Sequence, residues 1–410
     1  MSDFSHYLIP RGFRFGAVKA GLKASGRTDF ALIVADEPAS AAAAFTSNRV
    51  TAAPLIVDKE HLCATGGRVR VAAINAGNAN CAVGEPGIRA ARATCAAAAE
   101  IFGCKPEEVF PSSTGIIGVP LPAEKLVAAL PQIAASLGSE PAKFHEAAVA
   151  IMTTDTVEKV AFAKLEVCGN KAGSETREVR IAAFGKGSGM IHPQLVPHAT
   201  MLIYVMTDAA IEPAVLNGYL RPAIEVSFNR ISVDGDTSTN DTVLLLASGA
   251  SGVAIGADES EFAAALTEVC TSLARQVVGD GEGMTHLVEL RIEGAASDAD
   301  ALRVAKAIAH SPLVKTAWAG CDPNWGRLAA AIGYSGAQID PERFDISFGV
   351  LPICRNGGRA AEFDERAAHD YVSQREFTIN IQLNQGTGSC VFWTTDLTHE
   401  YISINADYST

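Results

Sequence analysis

Apolar residues along the chain fall into two patterns. Short continuous runs, such as Ala31–Val34, Met201–Met206 and Val243–Ala247, read as strands, that of Met201–Met206 as a buried one. Val160–Val167 and Arg177–Phe184 alternate instead, as paired strands do, with a polar turn over Gly169–Glu175 between them. Phe13–Ala17 and Ala41–Phe45 complete a series of short strands and turns over 12–57. Val69–Ile74 predicts a strand that ends in the small-residue turn Asn75–Asn80. Longer windows predict helices over Gly87–Phe102, Pro122–Leu137, Ala142–Ile151, Glu212–Val226, Glu259–Val278 and Asp298–Ala309. Asp322-Pro323, a cap residue followed by proline, predicts a helix start. His286–Ile292, Phe344–Val350, Glu376–Leu383 and Cys390–Thr394 read as strands, and Leu397–Asn405 as a short helix. Strands and helices interleave without strict βαβ order, which predicts an α/β architecture of mixed α+β layers.

Composition narrows the class. A chain of 410 residues exceeds the size of most single cores, so two lobes are expected. Hydrophobic residues make up 48% and charged residues 19%, which excludes a disordered chain. A formal charge of −13 argues against nucleic acid as a partner. It is compatible with a cationic small substrate, although an acidic balance also serves solubility. The N-terminus has no basic segment followed by an apolar run, and no apolar run is long enough to cross a bilayer. The 9 cysteines include no C-x-x-C pair and no metal-type spacing. A cytoplasmic protein with reduced thiols, no metal and no membrane contact is the expectation.

The chemistry concentrates near mid-chain. Gly185, Gly187 and Gly189 loosen the backbone, Pro193 and Pro197 stiffen it, and Ala199-Thr200 then meets the apolar run from Met201. A threonine hydroxyl is a weak nucleophile and needs an adjacent base. Cleavage of Ala199–Thr200 would supply one, because the freed α-amine titrates near 8. Taken alone, this stretch reads rather as a Gly/Pro turn feeding a strand, a common arrangement.

Other segments carry double readings. Ser112–Gly118 offers glycine-freed N–H groups for an oxyanion, or a capping turn. Met152–Thr156 offers a polar pocket wall, or a local turn. Lys186 offers a point charge for a carboxylate, or a solvated lysine; Gly185–Gly189 lacks the spacing of a phosphate loop. Asp234–Asp241 lacks the glycine and glutamate of a calcium loop and reads as a bracing turn. Asp280-Gly-Glu-Gly283 holds a carboxylate on a glycine-flanked backbone, or forms a surface turn. His192 and His198 have no evident partner.

Together these segments resemble the ornithine acetyltransferase family, the bifunctional glutamate N-acetyltransferases of arginine biosynthesis. The resemblance spans nearly the whole chain. It rests on Asn75–Asn80, Ser113–Gly118, Met152–Thr156, Lys186–Ile191, Ala199–Leu202, Ser238–Thr242, Asp280–Gly283, Asp322–Arg327 and Tyr401–Thr410, in that order. It implies a two-lobed transferase of the N-terminal-nucleophile type that cuts itself between Ala199 and Thr200, giving chains 1–199 and 200–410. It further implies Thr200 as nucleophile and Thr114 with Gly115 as oxyanion stabilisers. Thr154, Lys186, Thr200, Glu282, Asn405 and Thr410 match the family's substrate-binding positions.

The implied reaction is ping-pong transfer of acetyl from N2-acetyl-L-ornithine to L-glutamate through an acetyl-Thr200 ester. No cofactor is implied; acetyl-CoA is a further candidate donor, and two chains of each kind would assemble. The sequence departs from the family pattern at Gln194–His198, where the loop is about three residues longer. A self-processing aminopeptidase or amidase would use the same nucleophile with water as acceptor. A non-catalytic binding protein of the same fold is the reading of another class.

Overall fold

A computed structural model describes residues 4, 6–167, 177–194 and 201–407. In the first half, strands β1 (Phe13–Val18), β2 (Phe30–Phe45), β3 (Arg68–Asn78), β4 (Val109–Ile116), β5 (Lys159–Val167) and β6 (Arg177–Lys186) alternate with helices α1 (Ala53–Thr65), α2 (Glu85–Phe102), α3 (Ala123–Ala135) and α4 (Pro141–Ala150). There follow β7 (Leu202–Thr207), α5 (Pro213–Val226), β8 (Ile231–Ser232), β9 (Thr242–Ala247) and α6 (Ser260–Gly279). The first sheet runs β4-β3-β2-β9-β7-β6-β5, with β1 on β2.

The second sheet draws on the later chain. Its strands are β8, β10 (Leu287–Ala295), β11 (Asp345–Phe348), β12 (Leu351–Arg355), β13 (Gly358–Arg359), β14 (Glu376–Gln382) and β15 (Gly388–Thr395), ordered β13-β12-β11-β14-β10-β15-β8. Helices α7 (Asp298–Ala309), α8 (Pro312–Ala319) and α9 (Trp325–Tyr334) cover one face of it, with α10 (Glu365–Val372) beside them. The last described element is α11 (His399–Asp407). The layered α/β expectation holds.

The centre of the first sheet explains its apolar runs. β7 lies parallel to β9 and antiparallel to β6, and all six of its residues are buried. Ile203 and Val205 pack with Leu216, Leu220, Leu273 and Val277 of α5 and α6. Leu202, Tyr204 and Met206 point the other way, toward Phe144, Phe184 and Phe110. A strand sealed on both faces has no polar side to alternate with.

Four local expectations need correction. Ala31–Val34 and Ala41–Phe45 are one strand, β2, whose register with β3 shifts between Val34 and Ala39 across exposed Asp36-Glu37-Pro38. Asn75–Asn78 and Ser112–Ile116 are paired strand ends rather than turns. The segment ending at 57 enters a helix, α1, whose start has Pro54 but no side-chain cap. Asp322 is not the cap: α9 starts at Trp325, where the Asn324 side chain accepts from Arg327 N–H. Asp234 braces as read, its carboxylate accepting from the N–H groups of Met190 (2.7 Å) and Ile191 (2.9 Å).

Two histidines join the lobes. The rings of His192 and His310 meet edge to face at 4.2 Å, and His310 Nε2 lies 3.1 Å from Ser232 Oγ. Burial, reinforced by Lys306, pushes His192 down to about 4. Burial, reinforced by His192 and two lysines, pushes His310 down to about 3. Both values lie below the ordinary one of about 6.5, so the neutral pair stabilises the fold fully above that pH. The contribution is lost as pH falls from about 6.5 toward 4. The melting temperature should therefore drop between pH 7 and pH 5; a flat profile would contradict it.

Candidate active site

The parallel strands β3 and β4 end together, with Gly77 opposite Gly115. Gly115 has φ +132°, and a Cβ there would lie 2.3 Å from the Gly77 carbonyl carbon and 2.5 Å from Asn78 N. Only glycine lets these two backbones close. Ser113 Oγ donates to Asn75 Oδ1 at 2.7 Å. Asn240 Nδ2 donates to the carbonyls of Ala79 (2.6 Å) and Ser113 (2.8 Å). Three sequence motifs thus fasten one strand end, which presents Thr114 and Gly115.

β6 arrives at the same place. Lys186, its last residue, pairs with Leu202 at the start of β7, and its Nζ donates to Thr114 Oγ1 at 3.4 Å. Lys186 is buried. Burial pushes its ammonium below the usual lysine range, while Asp155, Glu282 and Asp241 oppose that fall.

The third wall is the Asp280–Gly283 loop. A Cβ on Gly189 would lie 2.4 Å from the Glu282 carboxylate, so the bare glycine makes room for it. Gly283, at φ +64°, sits where a Cβ would lie 2.4 Å from Tyr401 N. That close approach seats α11 on the loop. Thr398 Oγ1 donates to the Gly283 carbonyl at 2.6 Å, and Asn405 Nδ2 donates to Glu282 Oε2 at 3.0 Å.

These walls enclose a cavity of about 160 Å³ lined by Thr114, Gly115, Thr154, Lys186, Glu282 and Asn405. Six of the predicted site positions, from five separate segments, therefore share one cavity. Ala199, Thr200 and Thr410 lie outside the described residues, as do residues 195–198 of the longer loop. Met201, the residue after Thr200, lines the cavity.

Thr153, Ser238 and Asn240 also line it. The sequence marks their segments, Met152–Thr156 as a polar pocket wall and Ser238–Thr242 as a motif, without giving these three residues a role of their own. The polar run Ser238–Asp241 was the available signal for two of them. An ammonium on one wall and a carboxylate on another suit a small molecule carrying both charges. The hydroxyl and glycine of Thr114-Gly115 suit a developing oxyanion.

A larger groove of about 990 Å³ runs along α6, lined by Thr267, Thr271, Arg275 and Gln276. None of the predicted site residues lines it, so chemistry rather than volume selects the smaller cavity. Among the described residues no group of three or more His, Cys, Asp or Glu side chains is placed to hold a metal ion, and no helix is long and apolar enough to cross a membrane. The 8 described cysteines are free thiols.

Comparison with known proteins gives a consistent match. The ArgJ family profile aligns with residues 14–410. The arginine biosynthesis bifunctional protein ArgJ of Geobacter sulfurreducens is 45% identical over 404 residues, covering 98% of this chain and 99% of its own. That of Chlorobaculum tepidum is 44% identical over 401 residues, covering 97% and 96%. Among solved structures, the crystal structure of arginine biosynthesis bifunctional protein argJ from Bacillus halodurans is 42% identical, with a TM-score of 0.48, covering 50% of this chain and 98% of that one.

Proposed function

This chain belongs to the ArgJ family, acetyltransferases of arginine biosynthesis, and from that premise we propose that it moves an acetyl group from N2-acetyl-L-ornithine to L-glutamate through an ester on Thr200. The observation that carries this reading is the shared cavity of Thr114, Gly115, Thr154, Lys186, Glu282 and Asn405, with Met201 at its wall.

Processing comes first in this reading. The Thr200 hydroxyl attacks the Ala199 carbonyl carbon, the C–N bond breaks, and water hydrolyses the resulting ester. Chains 1–199 and 200–410 result, the second with a free α-amine on Thr200. Strand pairing favours survival of the cut: β7 stays hydrogen-bonded to β6 before it and to β9 after it, and β2 of the first chain pairs with β9 of the second.

Transfer then takes two displacements. The α-amine accepts the Thr200 hydroxyl proton as its oxygen attacks the acetyl carbonyl carbon. Thr114 and Gly115 hold the oxyanion. The amide C–N bond breaks, the proton passes to the departing ornithine amine, and the acetyl ester remains. Glutamate's amine attacks that ester, its proton passes to the Thr200 amine, and the hydroxyl is regenerated as N-acetylglutamate leaves. Lys186 pairs with a substrate carboxylate and Glu282 with a substrate amine. Acetyl-CoA as a second donor, a cytoplasmic setting and an assembly of two chains of each kind go with this reading, as do the substrate roles of Asn405 and Thr410.

Product analysis tests it. Acetylornithine and glutamate together should yield N-acetylglutamate and ornithine; release of free acetate instead would mean that water is the acceptor, as in an amidase. Glu282→Gln removes one charge from the cavity. A hydrogen bond to a charged group contributes about 1.5–3 kcal/mol, so KM for acetylornithine should rise about ten- to a hundredfold. An unchanged KM would remove Glu282 from the substrate's amine.

A further inference from the structure

One buried ammonium ties the cavity walls together. Lys159, at the start of β5, is wholly removed from solvent, and its Nζ lies 2.7 Å from Asp155 Oδ1 and 2.6 Å from Asp280 Oδ2. The Asp155 carboxylate also accepts from the N–H groups of Gly187 (2.7 Å) and Thr153 (3.0 Å). Asp280 accepts from the N–H of Thr156 at 3.0 Å and from the Thr156 hydroxyl. Its own carbonyl takes a hydrogen bond from Ser188 Oγ at 2.6 Å. The segments joined are 153–157, 186–188 and 280–282. They carry Thr154, Lys186 and Glu282.

The charge count matters as much as the geometry. Two carboxylates around one ammonium leave one negative charge in excess beneath the cavity. Lys186 is the buried cation that faces it. Burial alone would raise the Asp155 carboxyl, yet Lys186 and Lys159 outweigh it and hold it at about 2. The groups that bear on Lys186 are Asp155, Glu282 and Asp241, which favour its charge, and Lys159 and Lys23, which oppose it. A buried lysine without such compensation sheds its proton near neutral pH.

We propose that the Asp155–Lys159–Asp280 triad is a positioning element that keeps Lys186 charged and aimed into the cavity for the carboxylate of an amino-acid substrate. The proposal rests on the reading above only in that Lys186 receives that carboxylate. It adds a reason for three residues that do not line the cavity.

The test is the pH dependence of KM for glutamate between pH 6 and 9, measured on the processed enzyme. Asp155→Asn removes the excess charge, so Lys186 should lose its proton at lower pH. KM should then climb with pH beyond the wild-type profile, about tenfold per pH unit above the displaced midpoint, while kcat changes much less. Lys186→Arg on that background should flatten the profile again, because a guanidinium stays charged.

An Asp155→Asn profile superimposable on wild type overturns the proposal, as does a double variant no flatter than the single one. Lys186→Met separates the two levels. If it leaves KM unchanged, the carboxylate reading of the cavity falls and the proposal with it. If it raises KM while Asp155→Asn follows wild type, the proposal alone falls. Should Asp155→Asn not fold, Asp280→Asn is the second variant. It leaves Lys159, which opposes the charge on Lys186, without one of its two carboxylates and keeps Gly187 held by Asp155. KM should again climb with pH beyond the wild-type profile, and a superimposable profile overturns the proposal.

Discussion

Replacing Thr200 by alanine is expected to leave a single chain of 42.8 kDa and to lower acetyl transfer by about 10⁴-fold or more. Both losses have one cause. The hydroxyl that attacks Ala199 is also the one that accepts the acetyl group, and alanine has neither a nucleophile nor a route to the free amine. Thr200→Ser keeps an attacking hydroxyl and should still process, which separates loss of chemistry from loss of fold. Electrophoresis and a coupled acetylglutamate assay read both. A Thr200→Ala enzyme that still transfers acetyl would place the nucleophile elsewhere.

The second large effect is expected at Gly115. An alanine there sets a methyl 2.3 Å from the Gly77 carbonyl carbon and 2.7 Å from Gly77 Cα, at φ +132°. The obstacle is backbone on both sides, held by Asn240 and by the β3–β4 pairing, so no side chain can swing away. The strand ends must separate, and Thr114 and residue 115 leave the oxyanion position.

A loss of about 10²–10³ in kcat is predicted, with destabilisation of about 3 kcal/mol or more. Gly118 is the control. It also has positive φ, at +83°, but a Cβ there meets nothing within 4 Å. Gly118→Ala should cost only about 1–2 kcal/mol of backbone strain and should nearly keep kcat. Equal effects at the two glycines would show that strain, not the closed strand ends, is what matters.

Much of this architecture was legible in the sequence for identifiable reasons. Met201–Met206 and Val243–Ala247 read correctly as strands because a central strand buried on both faces must be apolar throughout. α6 read correctly because its buried face, from Phe262 to Val278, recurs at helical spacing. β2 read as two strands because a bulge lets three consecutive non-core residues face solvent in mid-strand. α9 was placed two residues early because Asp322-Pro and Asn324 are rival caps, and only the fold decides between them.

The site was legible piecewise. Thr114, Lys186 and Glu282 each sat beside glycines, and those glycines prove to be the points of close approach. Lys159 was not legible. A lysine at the edge of an alternating strand reads as solvated, and nothing local reveals that Asp280, far along the chain, supplies its second carboxylate. Asn240 lay in a legible motif, Ser238–Thr242, but its bonds to the carbonyls of Ala79, just past the end of β3, and of Ser113 on β4 were not legible, because both partners are remote in sequence.

Intact-mass analysis of the wild-type enzyme, before and after donor is added without acceptor, tests the central claim most directly. The account predicts two chains, the second beginning Thr-Met-Leu-Ile, which gains one acetyl group on Thr200 with acetylornithine and loses it on addition of glutamate. An active enzyme that remains one uncut chain, or whose second chain carries no acetyl group under those conditions, would contradict it.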